Sequence, residues 1–185
     1  MNLARKVQEL EAEITKLRGQ AEHDDLTGCL RREALARILD SRRRFGLLPH
    51  NMTLVIVDID HFKKINDSHG HLIGDDVLKK VATHLLHQAP NGSLICRMGG
   101  EEFALLIPRS LTESFQWIEN TRRALAETAL RVGPNKDIKV TFSAGLAEWK
   151  SDDDLKVATK EADTALYASK KNGRNQSTRA WQYFN

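Results

Sequence analysis

Two cysteines, a formal net charge of only +3 and no apolar run near the ~18 residues of a membrane span leave few function classes open to this 185-residue chain. Cys29 and Cys96 lie far apart without paired-ligand spacing, so two reduced, inert thiols are expected rather than a disulfide framework. The balance of 28 basic against 25 acidic residues is too even to argue for nucleic-acid binding, and the tight cluster Arg42-Arg43-Arg44 reads as a solvated helix end. The N-terminus carries charges where a secretory signal needs its apolar stretch, so a soluble cytoplasmic protein with no membrane segment is expected. What the chain does have is 41% apolar and 29% charged residues, enough for both a core and a solvated surface. That excludes a wholly disordered chain and suits one globular domain with a modest appendage.

The appendage is residues 1–22. Leu3, Val7, Leu10, Ile14, Leu17 and Ala21 follow the 4-3 spacing of a coiled-coil seam. Val7 and Ile14 take a positions and Leu3, Leu10 and Leu17 take d, a choice that favours a parallel two-stranded coil. Lys6 would then face Glu11 of the partner and Glu13 would face Arg18, both attractive pairs. The alternative is a single amphipathic helix packed on its own domain. About three heptads are marginal alone, so an upstream sensor domain is expected to feed the stalk, with Gly19 loosening its last turns.

From residue 23 to 185 the pattern is α/β. Helices are expected over 31–44, 75–88, 112–130 and 152–171, and strands over 53–57, 93–98, 103–107 and 138–148, with a last short strand near 178–183. The glycines of Gly99-Gly100-Glu101-Glu102 suit the turn of a hairpin. His69 with His71, and His84 with His87, lack carboxylate or thiol partners at ligand spacing, and zinc is not expected. Trp117, Trp149 and Trp181 are expected to pack rather than to stack on bases.

Two acidic features sit where strands end. Asp58-Ile59-Asp60 follows the apolar run TLVIV, and Glu101-Glu102 occupies the hairpin tip. If those strands are neighbours, several carboxylates converge and ask for a hard divalent cation such as Mg²⁺, with phosphate oxygens completing its shell. Spacing alone leaves solvated turn acids as an equal alternative. Asp60 is expected to point away from Asp58, so the two need not share a site.

Gly99-Gly100-Glu101-Glu102-Phe103 resembles the signature of the GGDEF family of bacterial diguanylate cyclases, in its GGEEF form. The resemblance spans residues 23–176 and includes Asp24-Asp25-Leu26-Thr27-Gly28, the run from Asp58 to Asp67, Gly70-His71 with Gly74-Asp75, Ser143-Ala144-Gly145, and Ala162-Asp163 through Lys170 to Gly173-Arg174-Asn175. It implies a fold like nucleotide-cyclase and polymerase palm domains, α/β (α+β), with a five-stranded central sheet flanked by helices. It implies condensation of two GTP into cyclic di-GMP with release of two pyrophosphates, across a homodimer held by the stalk. By matching motif positions, Asp58, Glu101 and the Ile59 carbonyl would hold Mg²⁺, with Mn²⁺ able to substitute and two ions per half-site. Glu102 would be the second catalytic acid of the hairpin beside Glu101 and Asp58. Asn66 and Asp75 would read guanine, while Lys170, Arg174 and the backbone amides of Phe62 and Lys63 would hold the triphosphate. A GTP-binding module without turnover and a cyclase with a mixed dinucleotide product are the alternatives.

Two departures from the family pattern matter. Many members carry an Arg-x-x-Asp product-inhibition site ending five residues before the signature, where this chain has Pro90, Asn91, Gly92 and Ser93. Cys29 and Arg31 also stand where leucine and asparagine are common, which leaves the contact between stalk and domain open.

Overall fold

The structure is a computed structural model and describes residues 5–8 and 22–180. Residues 5–8 are helical, but Leu3, Leu10, Ile14, Leu17 and Ala21 of the expected heptad lie outside the described residues. The domain runs β1 (Leu30–Arg31), α1 (Arg32–Arg44), β2 (Asn51–Ile59), α2 (Phe62–His69), α3 (His71–Gln88), β3 (Leu94–Gly99), β4 (Glu102–Ile107), α4 (Leu111–Glu127), β5 (Ala129–Val132), β6 (Lys136–Lys139), β7 (Phe142–Lys150), α5 (Leu155–Lys171) and β8 (Ser177–Arg179).

The main sheet is ordered β1-β3-β4-β2-β7-β8, so β2, the most apolar segment, lies inside it between antiparallel β4 and β7. Alternation along β2 sends successive side chains to opposite faces. Val55, Val57 and Ile59 join Phe62, Val77, Val81, Leu85 and Ile118 in one core, beneath α3 and α4. Leu54 and Ile56 join Leu35, Leu39, Ala162 and Leu166 in the other, beneath α1 and α5. Burying each large aliphatic side chain stabilises the fold by about 1.5–3 kcal/mol. Gly145 of β7 lets α5 lie directly on the sheet: a β-carbon there would stand 2.1 Å from the Ala162 carbonyl oxygen.

The fold class is the expected one, with several boundaries moved. The sheet has six strands, not five, because the two-residue β1 pairs in parallel with β3 at one edge. The helix expected from 75 starts at His71, and α2 precedes it unannounced. The break between them is Gly70, at φ +83° and ψ 160°, a conformation that only glycine adopts readily. The helix expected to reach 130 ends at Glu127, because Leu130 and Val132 take up the two-residue alternation of β5. The strand expected from 138 to 148 is two strands: β6 closes a separate hairpin with β5, and β7 starts at Phe142. The helix expected from 152 starts at Leu155, with the Asp154 carboxylate accepting the Lys156 N–H as its cap. The last strand is Ser177–Arg179, shorter than expected, and 181–185 lie outside the described residues.

Candidate active site

The end of β2 and the tip of the β3–β4 hairpin meet because β2 and β4 are neighbours in the sheet. Asp58 pairs with Glu102 across the ladder, and the Ile59 N–H donates to the Glu101 carbonyl at 3.3 Å. Asp58 is buried, and its Oδ2 lies 2.8 Å from Nζ of Lys170, which α5 brings across the same face. Burial pushes the Asp58 carboxyl above the usual aspartate value and outweighs the opposing pull of Lys170, with Asp60 adding like-charge repulsion and Arg174 opposing it. Glu102 is also raised, by burial first and then by the Asp58 charge. Asp163 of α5 is raised by burial, with Lys170 opposing.

These residues fit a hard cation. Asp58, Glu101 and the Ile59 carbonyl offer oxygen donors only, and the mutual repulsion of Asp58 and Glu102 is what a divalent charge would relieve. Among the described residues no three His, Cys, Asp or Glu side chains form a self-sufficient metal cage.

The residues expected to contact the nucleotide lie on α2 and α3, which follow β2, and at the end of α5 and the turn after it. His61 takes a left-handed φ of +57° and turns the chain from β2 into α2. The first amides of that helix, Phe62 and Lys63, have no intrahelical acceptor and no side-chain cap. Asn66 on α2 packs against Gly74 on α3, beside Asp75, and its Oδ1 is buried without a hydrogen-bond partner. Beyond α5, Gly173, Arg174 and Asn175 take φ of +107°, +62° and +46°. Glycine and asparagine adopt left-handed backbone readily, so the cost of about 1–2 kcal/mol falls on Arg174. The Arg174 charge opposes, without reversing, the rise of the Asp58 carboxyl.

Three features were not legible in the sequence. The separation of Asp60 from Asp58 was expected, but not its cause or partners: a continued β2 would put both on one face, whereas the strand ends at Ile59 and the Asp60 carboxylate bonds Thr141, Ser143 and Asn175. Arg97 links the segment where the domain begins to the hairpin. Its Nη1 donates to Asp24 at 3.0 Å, and its Nε and Nη2 donate to the Gly100 carbonyl at 3.1 and 2.9 Å. Arg31 bonds the His23 carbonyl and Asp25, which places that unusual residue at the start of the domain. Both cysteines are buried on opposite faces of the sheet, and burial pushes the thiols to about 11 (Cys29) and about 12 (Cys96), so neither is a thiolate near neutrality.

Residues 21–176 match the family described as "Diguanylate cyclase, GGDEF domain". The chain belongs to this family. Diguanylate cyclase DgcP of Pseudomonas aeruginosa is 37% identical to it over 164 residues, which cover 86% of this chain and 24% of that protein. Diguanylate cyclase DgcM of Escherichia coli K12 is 35% identical, covering 87% of this chain and 39% of DgcM. This chain therefore spans about a quarter to two-fifths of the length of those relatives. Among solved structures, the coiled coil and GGDEF domain of DgcB from Caulobacter crescentus, in complex with c-di-GMP, superposes with a TM-score of 0.84 at 32% identity, covering 95% of this chain and 94% of that one. SiaD from Pseudomonas aeruginosa, in complex with its activator SiaC, superposes with a TM-score of 0.80 at 30% identity, covering 95% of this chain and 68% of that one. In this GGDEF domain the signature is the turn that carries Glu101 and Glu102 against Asp58.

Proposed function

We propose that this chain condenses two GTP into cyclic di-GMP and releases two pyrophosphates. The observation that carries the reading is the convergence of Asp58, Glu102 and Lys170 at one strand end, with Glu101 joined to Ile59 through its backbone. In this reading Lys170, Arg174 and the free amides of Phe62 and Lys63 bind the triphosphate. Lys170 is then shared between Asp58 and the phosphates. Asp75 accepts from N1–H and the exocyclic amine of guanine, and Asn66 contacts the same base.

Asp58, Glu101 and the Ile59 carbonyl would hold Mg²⁺ or Mn²⁺, two ions per half-site, which when bound neutralises the phosphates and lowers the pKa of the 3′-hydroxyl. The O3′–Pα bond forms as the bond from Pα to the pyrophosphate oxygen breaks, and the hydroxyl proton passes to Glu101 or to water. Glu102 adds negative charge beside Asp58. One domain holds one GTP, so two copies face each other, each 3′-hydroxyl reaching the other's α-phosphate. Residues 1–22 are proposed to pair the copies, which raises the effective concentration of the second half-site to roughly the millimolar range. An upstream sensor would act through that helix. Among the described residues no helix is long and apolar enough to cross a membrane, and we place the reaction in the cytoplasm, where GTP is made.

The test is a product assay with GTP and Mg²⁺, repeated with GTP plus ATP. Cyclic di-GMP as the sole cyclic product supports the reading. GTP binding without product, or a mixed adenine–guanine product, refutes it. Glu101→Gln and a chelated sample should both lose turnover with the fold intact, and parent-like rates in either would remove the metal assignment.

A further inference from the structure

Asp60 takes no part in the chemistry above, yet every oxygen of its carboxylate is engaged. The side chain is 5% exposed. Its Oδ1 accepts from Ser143 Oγ at 2.7 Å; its Oδ2 accepts from Thr141 Oγ1 at 2.7 Å and from the Asn175 N–H at 3.0 Å. Its own N–H donates to the Thr141 carbonyl at 2.9 Å. One residue thus ties together the end of β2, the start of β7 and the turn that follows α5.

That turn is where left-handed backbone accumulates. Gly173, Arg174 and Asn175 are all at positive φ, and two of the three carry side chains. From outside the turn, Asp60 takes the Asn175 N–H, and Arg122 of α4 donates to the Asn175 Oδ1 at 2.5 Å. Arg122 is itself gripped by both carboxylate oxygens of Glu119 at 2.8 Å. The Arg174 N–H is satisfied by the Ser169 carbonyl at 3.0 Å. The direction of the Arg174 side chain therefore depends on a backbone conformation that its neighbours impose.

We propose that Asp60 is the positioning residue for Arg174: by holding the Asn175 N–H it locks the 173–175 turn from which the Arg174 side chain reaches the triphosphate of bound GTP. The proposal rests on the reading of Arg174 as a triphosphate ligand. It separates the two aspartates of Asp58-Ile59-Asp60 by task, Asp58 facing the reacting phosphates and Asp60 the scaffold that aims their ligand.

The test compares Asp60→Ala, Asp60→Asn, Arg174→Ala and the Asp60→Ala/Arg174→Ala double variant in the full chain. It measures kcat and KM for GTP, equilibrium binding of α,β-methylene-GTP, and Tm. Arg174→Ala and Asp60→Ala should each raise KM and weaken analogue binding about tenfold, as expected for loss of one charge-assisted contact. The double variant should be no weaker than Arg174→Ala within about twofold, because residues acting through one contact are not additive. Asp60→Asn keeps an oxygen that can accept the Asn175 N–H and should stay within about threefold of the parent. A folded Asp60→Ala with parent KM, or losses that multiply in the double variant, overturns the proposal while leaving Arg174 as a ligand. Unchanged analogue binding in Arg174→Ala overturns the triphosphate reading, and this proposal with it. If Asp60→Ala does not fold, Asn175→Pro takes its place. Proline has no N–H and cannot adopt φ +46°, so KM should rise as in Arg174→Ala, and a parent KM overturns the proposal.

Discussion

A methyl group at Gly74 tests the guanine site with little risk to the fold. Gly74 is buried in the first turn of α3, and a β-carbon there would stand 1.9 Å from Asn66 Oδ1, 3.0 Å from Asn66 Cγ and 3.3 Å from Phe62 Cζ. Ordinary contact needs roughly 3.5 Å, so the amide must retreat by about 1.5 Å. The obstructing atom is the tip of a side chain rather than backbone, so Asn66 swings and the helix stays. Replacing a helix-interior glycine with alanine also gains about 1 kcal/mol in propensity, which offsets part of the crowding. In the proposed reading this removes the Asn66 contact to guanine. An unmade hydrogen bond at a buried site costs about 1–3 kcal/mol, a fall in GTP affinity of about fivefold to 150-fold. Gly74→Ala should therefore keep a near-parent Tm while KM for GTP rises at least about fivefold, more than kcat falls. A Gly74→Ala/Asn66→Ala double variant should be no worse than Asn66→Ala alone. Gly74→Ala with parent KM, or a double variant whose losses multiply, would refute the reasoning that Gly74 makes room for the reader.

Gly145→Ala should behave in the opposite way. There the β-carbon meets backbone, 2.1 Å from the Ala162 carbonyl and 2.3 Å from the Leu166 nitrogen, so α5 must lift from β7. Overpacking of this kind costs about 1–3 kcal/mol, and thermal unfolding should show Tm falling by roughly 2–12 °C; an unchanged Tm would contradict the direct seating of α5. Acid should unfold the domain through Asp24 and Glu119. Burial pushes both carboxyls up, but hydrogen bonds from Thr27 and Arg97 on Asp24, and from Arg122 on Glu119, outweigh it and hold them below their ordinary values. Depressed folded values mean stability that is present above the unfolded values of about 3.9 and 4.3 and lost as pH falls through the folded ones. Urea unfolding across pH should show the gap between parent and Asp24→Asn closing below pH ~4, whereas a constant gap would show that the Asp24 charge contributes nothing. Product feedback should be weak, because Pro90 and Ser93 supply neither the cation nor the carboxylate of the family's inhibitory site. Inhibition should appear only at high product and compete with GTP; noncompetitive inhibition at low product would reveal a second site.

Much of this protein was legible from local pattern. The apolar run of β2, the glycine turn of the GGEEF hairpin and the amphipathic faces of α1, α3, α4 and α5 are periodicities of two or 3.6 residues, visible in any short window. The residues expected to bind metal and nucleotide were named from contiguous motifs that resemble those of the family. Where the expectation slipped, a competing local rule had won. Gly70 splits one helical stretch into α2 and α3, and the alternation of Leu130 and Val132 ends α4 early. The seam of residues 1–22 is a statement of sequence alone.

Partners distant in the chain were decided only by the tertiary structure. Lys170 reaches Asp58 because α5 lies on the sheet at Gly145, Arg97 joins Asp24 to the Gly100 carbonyl, and Asp60 meets Asn175, 115 residues away. No short window of the sequence contains both Lys170 and Asp58, both Arg97 and Asp24, or both Asp60 and Asn175. Their meeting depends on the order of strands in the sheet, and periodicity sets which face a side chain takes but not which strand lies beside it. Asp58 and Asp60, alike in the sequence and two residues apart, were given different partners by where β2 ends and by what the chain brings back to meet each of them.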